Sequence, residues 1–291
     1  MTDLHQAPFA GARALIFGGA KGIGKAVALE WARRGASLAI ADLAEDAAQE
    51  TAAQIVAAGG TAIALSANVM SDESVEQAAT RAEAELGEID IVMNNVGSML
   101  NGHPEDIPIA EWQRIMEINY FAAVRGVRHF LPKFLARGRG HAVMTASFAG
   151  LYPYAASRVP YASAKAAVIS MAQNLAVYCE PQGVRVSCLI PGPVMTGVME
   201  SMTSWTEDCP MRGPGAETTL LMPDHVAGVL ADGMRDGRVL IPSDPVAFDI
   251  VRRWAADPDG FVRTKIAEFA AGDRGNPAIP PEIVAMMGGS R

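Results

Sequence analysis

The residues from Gly18 to Gly24 have the composition needed to hold a pyrophosphate. They lie between a short apolar run, Ala14 to Phe17, and a segment with helical periodicity carried by Ile23, Val27 and Trp31. Glycines at such a junction permit a tight turn, close approach of backbone to phosphate, and close packing of helix on strand. The helix that follows offers free N–H groups and the positive end of its dipole. A glycine-rich turn alone is weak evidence, because any strand–helix junction can use glycine. Asp42 supplies the missing context, ending the next apolar run about 20 residues downstream. A carboxylate there accepts hydrogen bonds from the ribose hydroxyls of a dinucleotide and repels a 2′-phosphate, which favours NAD over NADP. Lys21 pulls the other way, since a cation beside Gly22 reaches a phosphate.

A second pair has spacing suited to chemistry. Tyr161 and Lys165 stand four positions apart and share one helix face. A neighbouring ammonium favours the phenolate, so a tyrosine with an ordinary pKa of about 10 becomes a usable proton carrier. Such pairs also arise by chance on helices. Here the chain also carries a nucleotide turn, and Ser147 follows an apolar run upstream. Tyr152 and Tyr154 are rival tyrosines, but Ala156 and Arg158 stand where a lysine would be needed.

The elements that must position these residues alternate along the chain. Apolar runs at Ala14 to Phe17, Ser37 to Ala41, Thr61 to Ser66, Ile89 to Met93, Ala142 to Ala146, Val184 to Ile190 and Val239 to Ile241 read as strands. Helical segments at about 22–34, 44–58, 72–86, 110–136 and 161–180 lie between them, several stopped by glycine. Strands without polar alternation are buried on both faces. Strands alternating with long helices make right-handed βαβ units. The expected fold is a doubly wound parallel α/β sheet of about seven strands with helices on both faces. Residues 1–242 are expected to form one catalytic domain, with 193–222 a long loop over the substrate. Residues 243–291 are expected to be a helical extension packed on it, with helices near 245–255 and 259–271 and a Pro/Gly-rich tail.

The spacing Gly18-x-x-x-Gly22-Ile23-Gly24 resembles the short-chain dehydrogenase/reductase family. Further motifs match that family in order: Asn94-Asn95-Val96-Gly97, Asn119, Ser147, Tyr161-x-x-x-Lys165, and Pro191-Gly192-Pro193-Val194-Met195-Thr196. The resemblance spans about residues 11–242 and implies a Rossmann-like fold with an NAD(H)-dependent oxidoreductase activity. It implies Tyr161 as general acid/base, Lys165 as its cation, Ser147 holding the substrate oxygen and Asn119 holding a proton relay. It implies cofactor contacts from Gly18, Lys21, Gly22, Ile23, Gly24, Asp42, Asn68, Val69, Asn95, Gly97, Tyr161, Lys165, Pro191, Gly192, Val194 and Thr196. Three positions depart from the family pattern: Phe17 for a threonine, Asn68 for an aspartate beside the adenine, and Val96 for a small alanine.

Composition limits the alternatives. Lys+Arg 24 against Asp+Glu 32 gives a net charge of −8, which argues against binding nucleic acid or an anionic membrane. No signal peptide and no spanning run is read, so a cytoplasmic protein is expected. Cys179, Cys188 and Cys209 cannot all pair, and no Cys/His cluster has metal-ligand spacing, so free thiols and no metal are expected.

Substrate walls are expected from 98–104, 148–156 and 193–215. The last segment carries Met195, Met199, Met202, Trp205 and Met211, which suit an adaptable apolar pocket. Arg212 is its first basic residue, so an acidic substrate is not demanded. A bulky aryl or alicyclic secondary alcohol, or its ketone, fits this reading. The extension is similar to that of family members acting on lignin-type aryl alcohols. Extra apolar faces on 110–136 and 161–180 point to a homodimer or homotetramer. An NADP-dependent carbonyl reductase is the alternative enzyme, and an idle NAD(H)-sensing regulator the alternative from another class.

Overall fold

The computed structural model describes residues 8–197 and 202–288. The first half holds β1 (Arg13–Phe17), α1 (Gly22–Arg33), β2 (Ser37–Asp42), α2 (Glu45–Ala57), β3 (Ala62–Ser66), α3 (Asp72–Leu86) and β4 (Ile91–Asn94). Next come β5 (Leu100–Asn101), α4 (Ile109–Met116), α5 (Ala122–Arg137), β6 (Gly140–Thr145), α6 (Val159–Cys179) and β7 (Val184–Ile190). The last part holds β8 (Thr203–Ser204), α7 (Pro223–Arg235), β9 (Leu240–Pro242), α8 (Val246–Ala256), α9 (Pro258–Ala270) and α10 (Pro281–Gly288).

Seven strands form one wholly parallel sheet in the order β3-β2-β1-β4-β6-β7-β9. Successive side chains of β1 face opposite sides. Ala14 and Ile16 join an apolar core with α1, α2 and α7, while Leu15 and Phe17 join one with α3, α5 and α6. Both faces are covered, which is why the strand sequences show no polar alternation. The chain winds outward from β1 in both directions, leaving a crevice past the carboxyl ends of β1 and β4. Phe17 pairs with Ala41 and Asn94, Asn94 with Met144, and Thr145 with Leu189. The loops starting at Gly18, Asn95, Ala146 and Pro191 therefore leave the sheet at one level.

Three parts depart from the sequence reading. The long helix expected over 110–136 is two helices joined by a π-helical turn, Glu117–Phe121, with Asn119 inside it. Such one-turn widenings are frequent at functional sites. The described part of the loop expected over 193–222 is fastened at several points. Its β8 pairs with β5, and Val194 and Thr219 bridge to Leu221 and Ala278. The tail expected after 271 ends in a third helix, α10, whose Ile283 is buried. Proline at the first helical position is compatible with a helix start, because no N–H is needed there. Ala247 and Ile250 of α8 sit in the same apolar core as the sheet. Among the described residues no helix is long and apolar enough to cross a membrane. Cys179 and Cys188 are buried free thiols and Cys209 is half-buried.

Candidate active site

The glycine turn has the backbone its sequence requires. Gly18 and Gly22 lie at φ +80° and +53°, which disfavour L side chains. A Cβ on Gly24 would stand 1.9 Å from the Gly18 carbonyl oxygen, so the close approach of turn and helix excludes any other residue. Lys21 is the exposed N-cap of α1, and among the described residues no side chain caps that helix. Its first N–H groups are thus free to meet an anion. Phe17 contributes to the core where a hydroxyl would have braced the turn.

Asp42 stands at the end of β2 above this turn. One carboxylate oxygen accepts from the Ala20 N–H at 3.2 Å and the other from the Ala44 N–H at 3.1 Å. Each oxygen keeps a lone pair for a further donor, which fits two ribose hydroxyls. The turn and the carboxylate together fit a dinucleotide. Asn68 is exposed and its Oδ1 accepts from the Met70 N–H at 3.0 Å, while Val69 is buried beneath it. The Asn95 side chain is engaged within the protein: its amide donates to the Gly18 carbonyl at 2.9 Å and its Oδ1 accepts from the Thr145 hydroxyl at 3.0 Å. Past β7, Gly192 donates to Ser243 Oγ at 2.9 Å. Thr196 reaches back to the glycine turn, its methyl 3.4 Å from where a Gly22 Cβ would be. Ile23 is half-buried and Pro191 buried at this rim.

Ser147, Tyr161, Lys165 and Asn119 converge on the neighbouring rim. Ser147 leaves β6 with extended backbone, and its hydroxyl caps the short 3₁₀ turn Phe148–Gly150 by accepting from the Ala149 N–H at 3.2 Å. A Cβ on Gly150 would come within 2.4 Å of the backbone of Lys165 and Ala166. That contact sets the distance between the serine loop and α6. The Ser147 hydroxyl lies close enough to the Tyr161 phenol to act on its pKa. Burial raises the phenol pKa; the Ser147 hydroxyl and the Arg158 cation oppose that.

Lys165 is buried, its Nζ donating to the Thr145 carbonyl at 2.9 Å, and burial pulls its pKa down to about 8. Its Nζ is 5.7 Å from the centre of the Tyr161 ring. Gly97 is exposed beside it, where an added Cβ would stand 2.7 Å from Asn119 Oδ1 and 3.1 Å from Lys165 Nζ. Asn119 donates to the carbonyls of Ser98 and Ile115 at 2.9 and 3.0 Å and accepts from the Ser98 N–H at 3.2 Å. Its side chain is therefore bound to the loop after β4 and to its own helix.

The sequence reading missed one residue at this rim, Arg158. It precedes α6, one turn before Tyr161, and is buried. Its Nη2 donates to the main-chain carbonyl of Arg212 at 2.5 Å. The available signal was a lone charge among apolar and small residues just ahead of the tyrosine–lysine pair. The Arg212 guanidinium is turned away from the site, donating to the carbonyls of Asp273 and Phe269. Met195, Met202 and Met211 are half-buried and Trp205 is 38% exposed. Met199 lies outside the described residues.

A phosphate-type turn at the reversal of a parallel sheet, with a tyrosine–lysine helix along the adjoining wall, is the layout of an α/β oxidoreductase. The short chain dehydrogenase family model matches residues 12–207, and the chain belongs to the short-chain dehydrogenase/reductase family of oxidoreductases, which bind nicotinamide cofactors. It is 34% identical over 234 residues to 1-deoxy-11-beta-hydroxypentalenate dehydrogenase of Streptomyces exfoliatus, covering 79% of this chain and 82% of that one. It is 32% identical to 3beta-hydroxysteroid dehydrogenase 2 of Eggerthella lenta, covering 74% and 82%. Among solved structures, a short chain dehydrogenase/reductase from Burkholderia phymatum in complex with NAD superposes with a TM-score of 0.76 at 26% identity, over 86% of this chain and 95% of that one.

Proposed function

We propose that this protein is an NAD(H)-dependent dehydrogenase for a secondary alcohol, or the matching ketone, on a bulky apolar alicyclic or aryl framework. The observation that carries the reading is the convergence of Tyr161, Ser147 and buried Lys165 on one rim. The nicotinamide, when bound, supplies or accepts the hydride. Tyr161 takes the alcohol proton in oxidation and returns it in reduction. Ser147 holds the substrate oxygen against the phenol. Lys165 and Arg158 favour the phenolate against the cost of burial. Asn119 carries the relay that moves the proton outward from Lys165. Its amide N–H groups are engaged by Ser98 and Ile115, so it takes part as an acceptor.

Asp42 supports NAD, and so does the neighbour solved with NAD. The exposed Lys21 beside Gly22 favours a second reading, an NADP-dependent carbonyl reductase. The names of two relatives, a hydroxypentalenate and a hydroxysteroid dehydrogenase, support an alicyclic alcohol. Exposed Ile109, Phe121, Val177 and Tyr178 on α4, the π turn and α6 support a homo-oligomer formed through those helices. We place the protein in the cytoplasm as a one-domain enzyme whose segment 193–222 borders the substrate.

The test is Tyr161→Phe with calorimetric NAD binding and turnover followed by reduced-nicotinamide absorbance on alicyclic alcohols. Turnover should fall by about 100-fold or more with NAD affinity retained. Substantial remaining turnover would remove Tyr161 from proton transfer. Tighter binding of NADP than NAD would favour the reductase.

A further inference from the structure

Arg158 is a buried cation whose partners among the described residues are all neutral. It is 8% exposed. Nη2 has the Arg212 carbonyl, and Nη1 has the Met99 sulfur at 3.9 Å, a weak acceptor. The guanidinium also lies 5.7 Å from the centre of the Tyr154 ring. Nε is buried and has no acceptor among the described residues. Several other part-buried arginines meet a carboxylate: Arg34 pairs with Glu30 and Asp232, Arg114 with Glu111, and Arg125 with Asp72 and Glu117. A buried guanidinium without an anion is unfavourable, and its planar fork matches a carboxylate.

The neighbourhood has further unmet hydrogen-bonding capacity. The hydroxyls of Tyr152 and Ser157 are buried with no partner among the described residues. Ser157 adjoins Arg158 in sequence, and its carbonyl accepts from the Gly102 N–H at 3.0 Å. Met99 is half-buried, and its flexible side chain can give way to an entering group at little cost. Arg158 is the N-cap of α6, three residues ahead of Tyr161, and its charge acts on the Tyr161 phenol.

We propose that Arg158 binds a carboxylate on the substrate, making the substrate a hydroxy acid whose secondary hydroxyl meets Tyr161 while its carboxylate pairs with the guanidinium. The inference rests on the hydride transfer proposed above. It replaces the expectation that no acidic substrate is required, which weighed the loop over 193–212 and not the residue opening α6.

The experiment uses cyclohexanecarboxylate and its methyl ester as binding probes for the full-length protein, followed by calorimetry. Each hydroxycyclohexanecarboxylate isomer and its methyl ester then serve for turnover with NAD. Wild type should favour acid over ester by about tenfold or more in both readings. Arg158→Met should collapse that ratio. Arg158→Lys, which keeps the charge and loses the fork, should give an intermediate ratio and covers the case in which the methionine variant does not fold. NAD affinity and thermal melting check that each variant is native. Equal handling of acid and ester by wild type, or an unchanged ratio in both variants, would overturn the assignment. Acid binding that depends on Arg158, with no isomer oxidised, would support the anion site and count against hydride transfer at Tyr161.

Discussion

The Lys165 ammonium rests on the main-chain carbonyl of Thr145, at 2.9 Å. The Thr145 hydroxyl donates to Asn95 Oδ1 at 3.0 Å, and the Asn95 amide donates to the Gly18 carbonyl at 2.9 Å. Three hydrogen bonds thus tie the tyrosine–lysine helix to the phosphate-type turn through the end of β6. Each group in the chain is at least half-buried, so a lost bond leaves a polar atom unpaired.

Thr145→Val tests that link. Valine keeps the shape and the carbonyl that receives Lys165, and removes the hydroxyl. Asn95 Oδ1 is left without its donor, at a cost of about 1–3 kcal/mol in stability. NAD affinity measured by calorimetry should fall more than turnover at saturating NAD, because the Gly18 end loosens and the Lys165 end does not. Unchanged melting and unchanged affinity would mean that Asn95 holds Gly18 without help.

Asp42→Ala addresses cofactor choice. The carboxylate is braced by the Ala20 and Ala44 N–H groups and is positioned to accept from a ribose. Hydrogen bonds to a charged group contribute about 1.5–3 kcal/mol, so NAD should bind about tenfold to 100-fold more weakly. NADP should lose less, because a repulsive charge has gone. Titrating both cofactors into both proteins checks this, and an unchanged NAD/NADP ratio would show that Asp42 does not read the ribose.

These two sites differ in how far the sequence alone reveals them. The glycine turn is legible because its demands are local: a positive φ at Gly18 and no Cβ at Gly24. Tyr161 and Lys165 are legible because helix periodicity alone puts them on one face. The seven strands are legible because burial on both faces leaves unbroken apolar runs. Arg158 was not, since its partner Arg212 is 54 residues away and joined to it only by tertiary structure. The π turn around Asn119 has no local composition that sets it apart from ordinary helix. Helix α10 was hidden because Pro281 reads as a breaker until Ile283 is seen to be buried.

Gly150→Ala tests whether packing of the serine loop on α6 sets the catalytic distance. The new methyl would meet the Lys165 and Ala166 backbone at 2.4 Å, and neither backbone can yield like a flexible side chain. The loop must lift, carrying Ser147 away from Tyr161. A displacement of about 1 Å can cost roughly 100-fold in rate. Turnover should fall on that scale while NAD affinity holds, because the phosphate turn is remote from Gly150. A matching loss of both would point to general unfolding instead.

His141 should make the fold sensitive to acid. It is buried in β6, and burial, with the nearby Arg185 cation, pushes its pKa down to about 3. Ser187 donates its single hydroxyl proton to the Arg238 carbonyl at 2.8 Å, so it accepts from His141 Nε2 at 2.9 Å. The folded ring is therefore neutral with its proton on Nε2. In the unfolded chain a histidine titrates near 6.5. Above that pH neither state binds the proton and the full stability is present. From about 6.5 down to 3 the unfolded chain takes up a proton that the folded chain refuses, so stability falls with pH. Glutamine at 141 keeps an N–H donor for Ser187 and does not titrate. Urea melts at about pH 6.5 and pH 5 should show wild type losing about 2 kcal/mol more than His141→Gln over that interval. Parallel losses in the two proteins would mean that the ring is protonated in the folded state or reaches water on that timescale.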